Sequence, residues 1–203
     1  MAFERDATSV DVAHQLRQLR DAQQMSLRAL AKRSGLSANA LSMIERGRVS
    51  PSVSTLYKVA GALGVPMSRF FGEQPTLQDI VMVRADERSR VPFVRGLWEG
   101  LGGERFSGPV EPFLLTLEAG GSSGNSTMVH TGREFVFCLR GSLEYLVERE
   151  RFELAAGDSL LFAAHLRHRW RNPSSTVTNA LIVLSGFTEA RAPHAVQPTG
   201  SLS

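Results

Sequence analysis

The sequence predicts a two-domain α + β protein, a bundle of about five short helices followed by a β-sandwich or barrel. Two observations predict it. Apolar residues recur at three and four positions as far as Phe71, and beyond it they fall in short alternating runs rich in Phe, Val and Leu. Charge divides at the same place. Residues 1–75 hold ten Lys/Arg against six Asp/Glu, a net of +4, whereas residues 76–203 hold thirteen against fourteen, a net of −1. A basic excess confined to the helical part is what a polyanion-binding module requires. The 203 residues suffice for two small cores. A single cysteine, Cys138, excludes an internal disulfide framework and fits a reducing compartment. The start "MAFERDATS" places acids where a secretory signal needs basic residues, and no uncharged apolar run approaches the roughly 18 residues of a membrane helix. The expectation is a cytoplasmic protein with no membrane partner.

The helical elements follow from their apolar faces. Val12, Leu16 and Leu19 form one, Leu27, Leu30 and Ala31 a second, Leu41 and Ile44 a third, and Leu56, Val59, Ala60 and Leu63 a fourth. Ser26, Ser37 and Ser52 stand where N-caps belong, and Gly35, Gly47 and Gly64 where helices close. The expected domain spans 9–75, with 1–8 disordered.

Within it, two helices joined by "SGLS" have the shape of a helix-turn-helix. Leu41 and Ile44 face inward, which leaves Ala38, Asn39, Ser42 and Met43 on the open face of the second helix. An Asn in that first turn has the geometry for a bidentate contact to adenine, and Met43 for a thymine methyl. Ser37, Arg46, Arg48 and Ser52 flank the face and are expected to hold phosphates. Arg28, Lys32 and Arg33 read as a solvated face.

The segment "LSANALSMIERGRVSPSVSTLYKVAGALGV" resembles the lambda-repressor-like, Xre-type helix-turn-helix family, over about Val12 to Gly72. The resemblance makes Glu45 a structural partner of Arg20 that pins the first helix to the third. One position departs from the family, which often has Gln where this chain has Leu27.

After a linker over 76–90, the strand-like segments "FLLTLEAGG", "EFVFCLRGSLEYLV", "SLLFAA" and "ALIVLSG" are separated by Gly, Pro, Asn and Ser, which indicates a sandwich or barrel over 91–190 and a disordered tail over 191–203. Two motifs lie here. "HTGREFVFCLRG" has the form H-x3-E-x6-G, and "GDSLLFAAHLRHRWRN" follows it from Gly157 to Asn172. Strand alternation puts Glu134, Val136 and Cys138 on one face and His168, Trp170 and Asn172 on another. Arg140 falls on the Glu134 side, where it would favour an anionic effector, or at the surface, while Arg167, Arg169 and Arg171 alternate away from His168.

Together the two motifs resemble those of the cupin barrel, a double-stranded β-helix or jelly roll. The resemblance implies metal ligands at His130, Glu134 and His168. Met128 stands where the family has its first histidine, and Ala163 and His165 stand where the second motif has Pro and Gly. Two His and one carboxylate suit Fe(II), Zn, Mn or Ni. With or without a metal, Met128, His130, Glu134, Val136, Cys138, His168 and Trp170 are expected to line an effector pocket.

Two functions fit. The first is a ligand-responsive, sequence-specific transcriptional regulator, read as a repressor. It would bind a near-palindromic double-stranded DNA operator as a homodimer and sense a small molecule in the barrel. The second is a non-haem Fe(II) cupin enzyme, because the same domain pairing resembles the hydroxypropylphosphonate epoxidases. Exposed reading and phosphate positions favour the regulator over the enzyme.

Overall fold

The computed structural model of the protein describes residues 10–71 and 76–186; the tails read as disordered, 1–8 and 191–203, lie outside them. Four α-helices come first: α1 (Val12–Ala22), α2 (Leu27–Ser34), α3 (Ala38–Glu45) and α4 (Val53–Leu63). Each is started by a side chain. Asp11, Ser26, Ser37 and Ser52 accept from backbone amides of the first turn that would otherwise lack partners. Gly35 ends α2 at φ 69°, a left-handed conformation that turns the chain sharply into α3.

The fifth helical segment is not an α-helix. Met67–Phe71 is a 3-10 turn, closed by Arg69 N–H donating to the Pro66 carbonyl at 3.2 Å. Five residues after a proline make too short a run for cooperative α-helical bonding, so the tighter i→i+3 pattern prevails. It still does the work expected of a fifth helix, since Phe70 and Phe71 are fully buried.

Among the described residues nine strands follow, and the pairings between these strands are all antiparallel. One sheet has the order β1 (Arg90–Phe93), β2 (Gly96–Gly100), β3 (Val110–Leu117), β9 (Thr178–Ser185), β4 (Arg133–Arg140), β7 (Ser159–Ala163). The other has the order β6 (Glu150–Ala155), β5 (Ser142–Val147), β8 (His168–Arg171). Alternation decides which side chains point in. Phe113, Leu115 and Leu117 of β3, Val136 and Cys138 of β4, and Ala180, Ile182 and Leu184 of β9 are buried, as are Leu143 and Tyr145 of β5. Each such Leu or Ile removed from water contributes about 1.5–3 kcal/mol. Trp98 stacks on Trp170 with centroids 5.9 Å apart and fills much of the space between the sheets. Strands β1, β2 and β6 carry too little apolar sequence to have been read as strands.

Residues 76–90 are not a free linker. Gln78 bridges to Phe106, Arg105 donates to the Met82 carbonyl at 3.3 Å, and Val81 and Val83 pack beside Gly102.

The helices close one end of the barrel. At the start of α4, Ser54 N–H donates to the Ser123 carbonyl at 3.0 Å. Gly124, at φ 111°, lies so near Ser52 and Ser54 that a β-carbon there would meet both hydroxyls within 3 Å. At the other end of α4, Phe71 meets Phe113 at 5.1 Å and Ser68 N–H donates to Glu111 Oε1 at 3.0 Å. Helical and barrel side chains therefore share one buried cluster.

Candidate functional site

Two surfaces carry chemistry, the open face of α3 and the closed end of the barrel. On α3, Leu41 and Ile44 are buried, Asn39 is exposed, and Ala38, Ser42 and Met43 are half-buried; Arg46 and Arg48, in the turn that follows, are exposed. Ser37 Oγ accepts from Ala40 N at 3.0 Å. Ser52 caps the start of α4. Its hydroxyl is engaged by Ser54, Thr55 and the Thr55 amide, and it packs toward Gly124. Behind α3, Arg20 grips Glu45 with Nε to Oε1 at 2.7 Å and Nη2 to Oε2 at 3.0 Å, while Nη1 donates to the Met25 carbonyl. This fork locks α1 to the end of α3. Leu27, the departure from the family pattern, packs partly buried against the core.

At the barrel end, Glu134 and His168 are buried and His130 is half-buried. His130 Nε2 lies 3.2 Å, and His168 Nε2 3.3 Å, from the same atom, Glu134 Oε2. The backbone fixes what those nitrogens can be. His130 Nδ1 lies 3.0 Å from the Thr131 carbonyl and His168 Nδ1 2.8 Å from the Leu166 carbonyl. A carbonyl only accepts, so both Nδ1 atoms carry hydrogen, and in neutral rings both Nε2 atoms present lone pairs. Three acceptors then converge on one point, and His168 Nε2 is buried without a well-formed hydrogen bond. Such a cluster requires positive charge, either protons on the imidazoles or a cation between them.

The electrostatics respond accordingly. Burial pushes the Glu134 carboxyl up, but the imidazoles of His130 and, at 3.3 Å, His168 outweigh it when protonated and hold the group at about 2. Burial lowers His168, and the Glu134 carboxylate overcomes that to raise it above its ordinary value. Tyr145 Oη donates to Glu134 Oε1 at 2.7 Å and fixes the carboxylate plane. Desolvation and the Glu134 charge hold Tyr145 as a phenol.

The residues fit a divalent metal. One donor atom from each of His130, Glu134 and His168 lies within 4.8 Å of the others, and Nδ1-bonded imidazoles with a second-partner carboxylate are the usual arrangement around such ions. Met128 is buried and bridges to His168 through the backbone, N–H to carbonyl at 2.7 Å and 3.0 Å.

The remaining expected pocket residues are placed differently from the expectation. Val136, Cys138 and Trp170 point inward, but they are packed. One cavity lies outside them, at the seam between domains. It measures about 480 Å³ and is lined from the helical side by Tyr57, Ala60, Gly61, Gly64, Val65, Pro66 and Met67. Glu111, Val129, His130, Thr131, His165 and Leu184 line the barrel side. Of the seven residues expected to line a pocket, this cavity includes His130. Arg140 is exposed, as are Arg167, Arg169 and Arg171. Arg171 is not merely solvated, because it forks onto Glu144 at 2.7 and 2.9 Å. Burial raises the Cys138 thiol, so it stays protonated and packs as a small apolar group.

Sequence reasoning missed Tyr57, Tyr145, Glu111 and Phe162. Phe162 packs edge-on to His168 at 4.9 Å and Tyr57 stacks on His130 at 4.8 Å. A signal existed for two of them. The chain has two tyrosines, and both stand around the same carboxylate.

Comparison with known proteins agrees with this architecture. A helix-turn-helix family (HTH_3) matches residues 16–70, and a cupin domain family (Cupin_2) matches residues 113–184. The chain is similar to the HTH-type transcriptional regulator SutR of Escherichia coli K12, at 29% identity over 77% of this chain and 84% of that protein. The crystal structure of an HTH_3 family transcriptional regulator from Vibrio cholerae superposes with a TM-score of 0.66 at 24% identity, covering 87% of this chain and 96% of that one. Hydroxypropylphosphonic acid epoxidase from S. wedmorenis aligns at a TM-score of 0.44 and 19% identity, too loose a likeness to bear on activity. The chain thus joins an Xre-like helix-turn-helix domain (HTH_3) to a cupin domain (Cupin_2).

Proposed function

We propose that the protein is a sequence-specific DNA-binding regulator, acting as a repressor, whose affinity for its operator responds to a small molecule held at the barrel. The observation that carries this reading is α3 itself. It presents Asn39 to solvent, as the turn after it presents Arg46 and Arg48, while the Arg20–Glu45 fork holds its far side. A helix kept rigid behind and polar in front can enter the major groove with its first turn on the base edges. The similarity to SutR, named as a transcriptional regulator, points the same way. Ser37 and the two arginines would hold phosphates. A homodimer through the barrel would set two such helices about 34 Å apart on a near-palindrome.

His130, Glu134 and His168 would hold a divalent ion, Zn, Fe, Mn or Ni, where it would supply positive charge to the cluster. Tyr145 keeps the Glu134 carboxylate oriented, and the Thr131 and Leu166 carbonyls keep the two rings in the ligating tautomer.

The test is selection from random DNA with the full chain, followed by a salt titration on the selected site. A palindromic enriched site is expected. Asn39→Ala should cost about 1–3 kcal/mol at one base position. Arg46→Ala should weaken binding to every sequence and flatten the salt dependence. Equal affinity for selected and random DNA would sink the reading. The iron-enzyme alternative rests on the same histidines and carboxylate. It would stand only if oxygen-dependent turnover appeared after anaerobic iron loading and vanished in Glu134→Ala.

A further inference from the structure

The inner row of the barrel at the seam holds two carboxylates with unequal partners. In register across three strands, Glu111 of β3 faces Leu184 of β9, and Leu184 faces Glu134 of β4. Both acids are buried. Glu134 is met by two imidazoles and a phenol. Glu111 is met by the Ser68 amide, 3.0 Å from Oε1, and lies in the wall of the seam cavity. The Ser68 hydroxyl and the Met67 backbone also hydrogen-bond to it; these are dipoles, so no cation stands beside Glu111 when it ionises.

The rest of the cavity fits one class of ligand. Its walls are apolar over Tyr57, Ala60, Val65, Met67, Val129 and Leu184, and no Lys or Arg is among its lining residues. The C-terminal end of α4, closed by Gly64, also contributes to the wall. That end of a helix carries partial negative charge. An anion placed here would meet a carboxylate and helix carbonyls, and of the two histidines in the lining His130 is already turned to Glu134 at 3.2 Å. A volume of about 480 Å³ suits a small organic molecule.

We propose that the seam cavity binds a small organic amine, its ammonium on Glu111 and its apolar body along α4 between Gly61 and Val129. Two-sided walls make the ligand a bridge between the domains, since α4 and the Pro66–Met67 turn belong to the helical unit and Glu111, Val129 and Leu184 to the barrel. Burial already lifts the Glu111 carboxyl to about 7, and an ammonium would draw the proton off it. This places the ligand outside the barrel's packed interior and gives it the sign opposite to the one Arg140 suggested. That the ligand is the effector rests on the regulator reading; that it binds does not.

The experiment is titration calorimetry of the full chain at pH 7.5 with n-hexylamine, and with 1-hexanol and hexanoate as matched probes. The amine should bind about tenfold or more tightly than the alcohol, the range expected for a hydrogen bond to a charged group. Hexanoate should give no heat. Glu111→Gln keeps the shape and should bring the amine down to the alcohol's affinity. Gly61→Leu projects a side chain into open space from a helical position and should abolish binding while leaving the fold intact. Hexanoate binding as well as the amine, or amine affinity unchanged in both variants, overturns the proposal. Failure of the DNA selection described above would instead remove the regulator reading and leave this site standing.

Discussion

Tyr57 of α4 lies flat on the imidazole of His130, ring centroids 4.8 Å apart and planes 17° from parallel. One member belongs to the helical unit, and the other reaches the buried Glu134 of the barrel. Tyr57 is itself buried and held as a phenol, by desolvation first and then by the charges of Glu134 and Glu111. Any change in the charge or position of His130 is therefore felt by the helix that precedes the closing turn of the DNA-binding unit.

Tyr57→Ala should destabilise the protein by about 3–5 kcal/mol, the cost of deleting a buried aromatic ring and leaving a cavity. Tyr57→Phe keeps the stack and should cost much less. Urea unfolding followed by circular dichroism checks both. Equal costs for the two variants would mean that the ring does not matter.

The Arg20–Glu45 fork is nearly buried, with side-chain exposures of 12% and 8%. Removing Glu45 leaves the Arg20 charge with Asp21 alone, 2.6 Å away and half exposed, so Glu45→Ala should cost less than the roughly 3–5 kcal/mol of a fully unpaired buried charge. Joint replacement, Arg20→Met with Glu45→Leu, should recover most of that loss because neither charge remains. A double-mutant cycle by urea denaturation measures the recovery.

Glu111 gives stability a definite pH dependence. Its carboxyl is raised from an ordinary 4.5 to about 7 in the folded chain. A raised folded value means that its contribution is complete below 4.5 and is lost as pH rises toward 7, amounting to about 3 kcal/mol. His168, also raised, adds a loss of the same sign as pH climbs from its ordinary 6.5 through the raised value. Glu134, held at about 2, acts oppositely, and its contribution disappears only as pH falls from 4.5 toward 2. Glu111→Gln should flatten the stability profile between pH 4.5 and 7 and leave the acid limb unchanged. Denaturant midpoints across pH 2–8 would reveal whether it does.

Metal retention should follow the convergent atoms. After loading with zinc and dialysis, His130→Ala, Glu134→Ala and His168→Ala should lose the ion, and Met128→Ala should keep it. Tyr145→Phe removes the hydroxyl that orients Glu134 and should weaken retention by about 10–100-fold. Elemental analysis beside a competing chelator reads each case. Retention by Glu134→Ala would remove the carboxylate from the site.

Local rules made a great deal legible in the sequence. The four apolar faces and the serine caps of α2, α3 and α4 needed only neighbours within a turn, and period-2 alternation placed Glu134, Val136 and Cys138 on one buried side. Motif spacing brought out His130, Glu134 and His168 because two short, recognisable stretches carry them. Tertiary structure alone decided the rest. Tyr57 looked like any residue of an amphipathic helix, and Glu111 like any acid before an apolar strand. Their importance comes from α4 docking across the barrel's end, a contact between segments more than forty residues apart. The location of the cavity was illegible for the same reason. A pocket is the space that packing leaves, and Val136, Cys138 and Trp170, which the motifs had suggested as its wall, are buried. Helix faces and strand alternation follow from backbone geometry that the sequence encodes locally. Where two units meet depends on the shapes of both surfaces at once, and no stretch of the chain contains both.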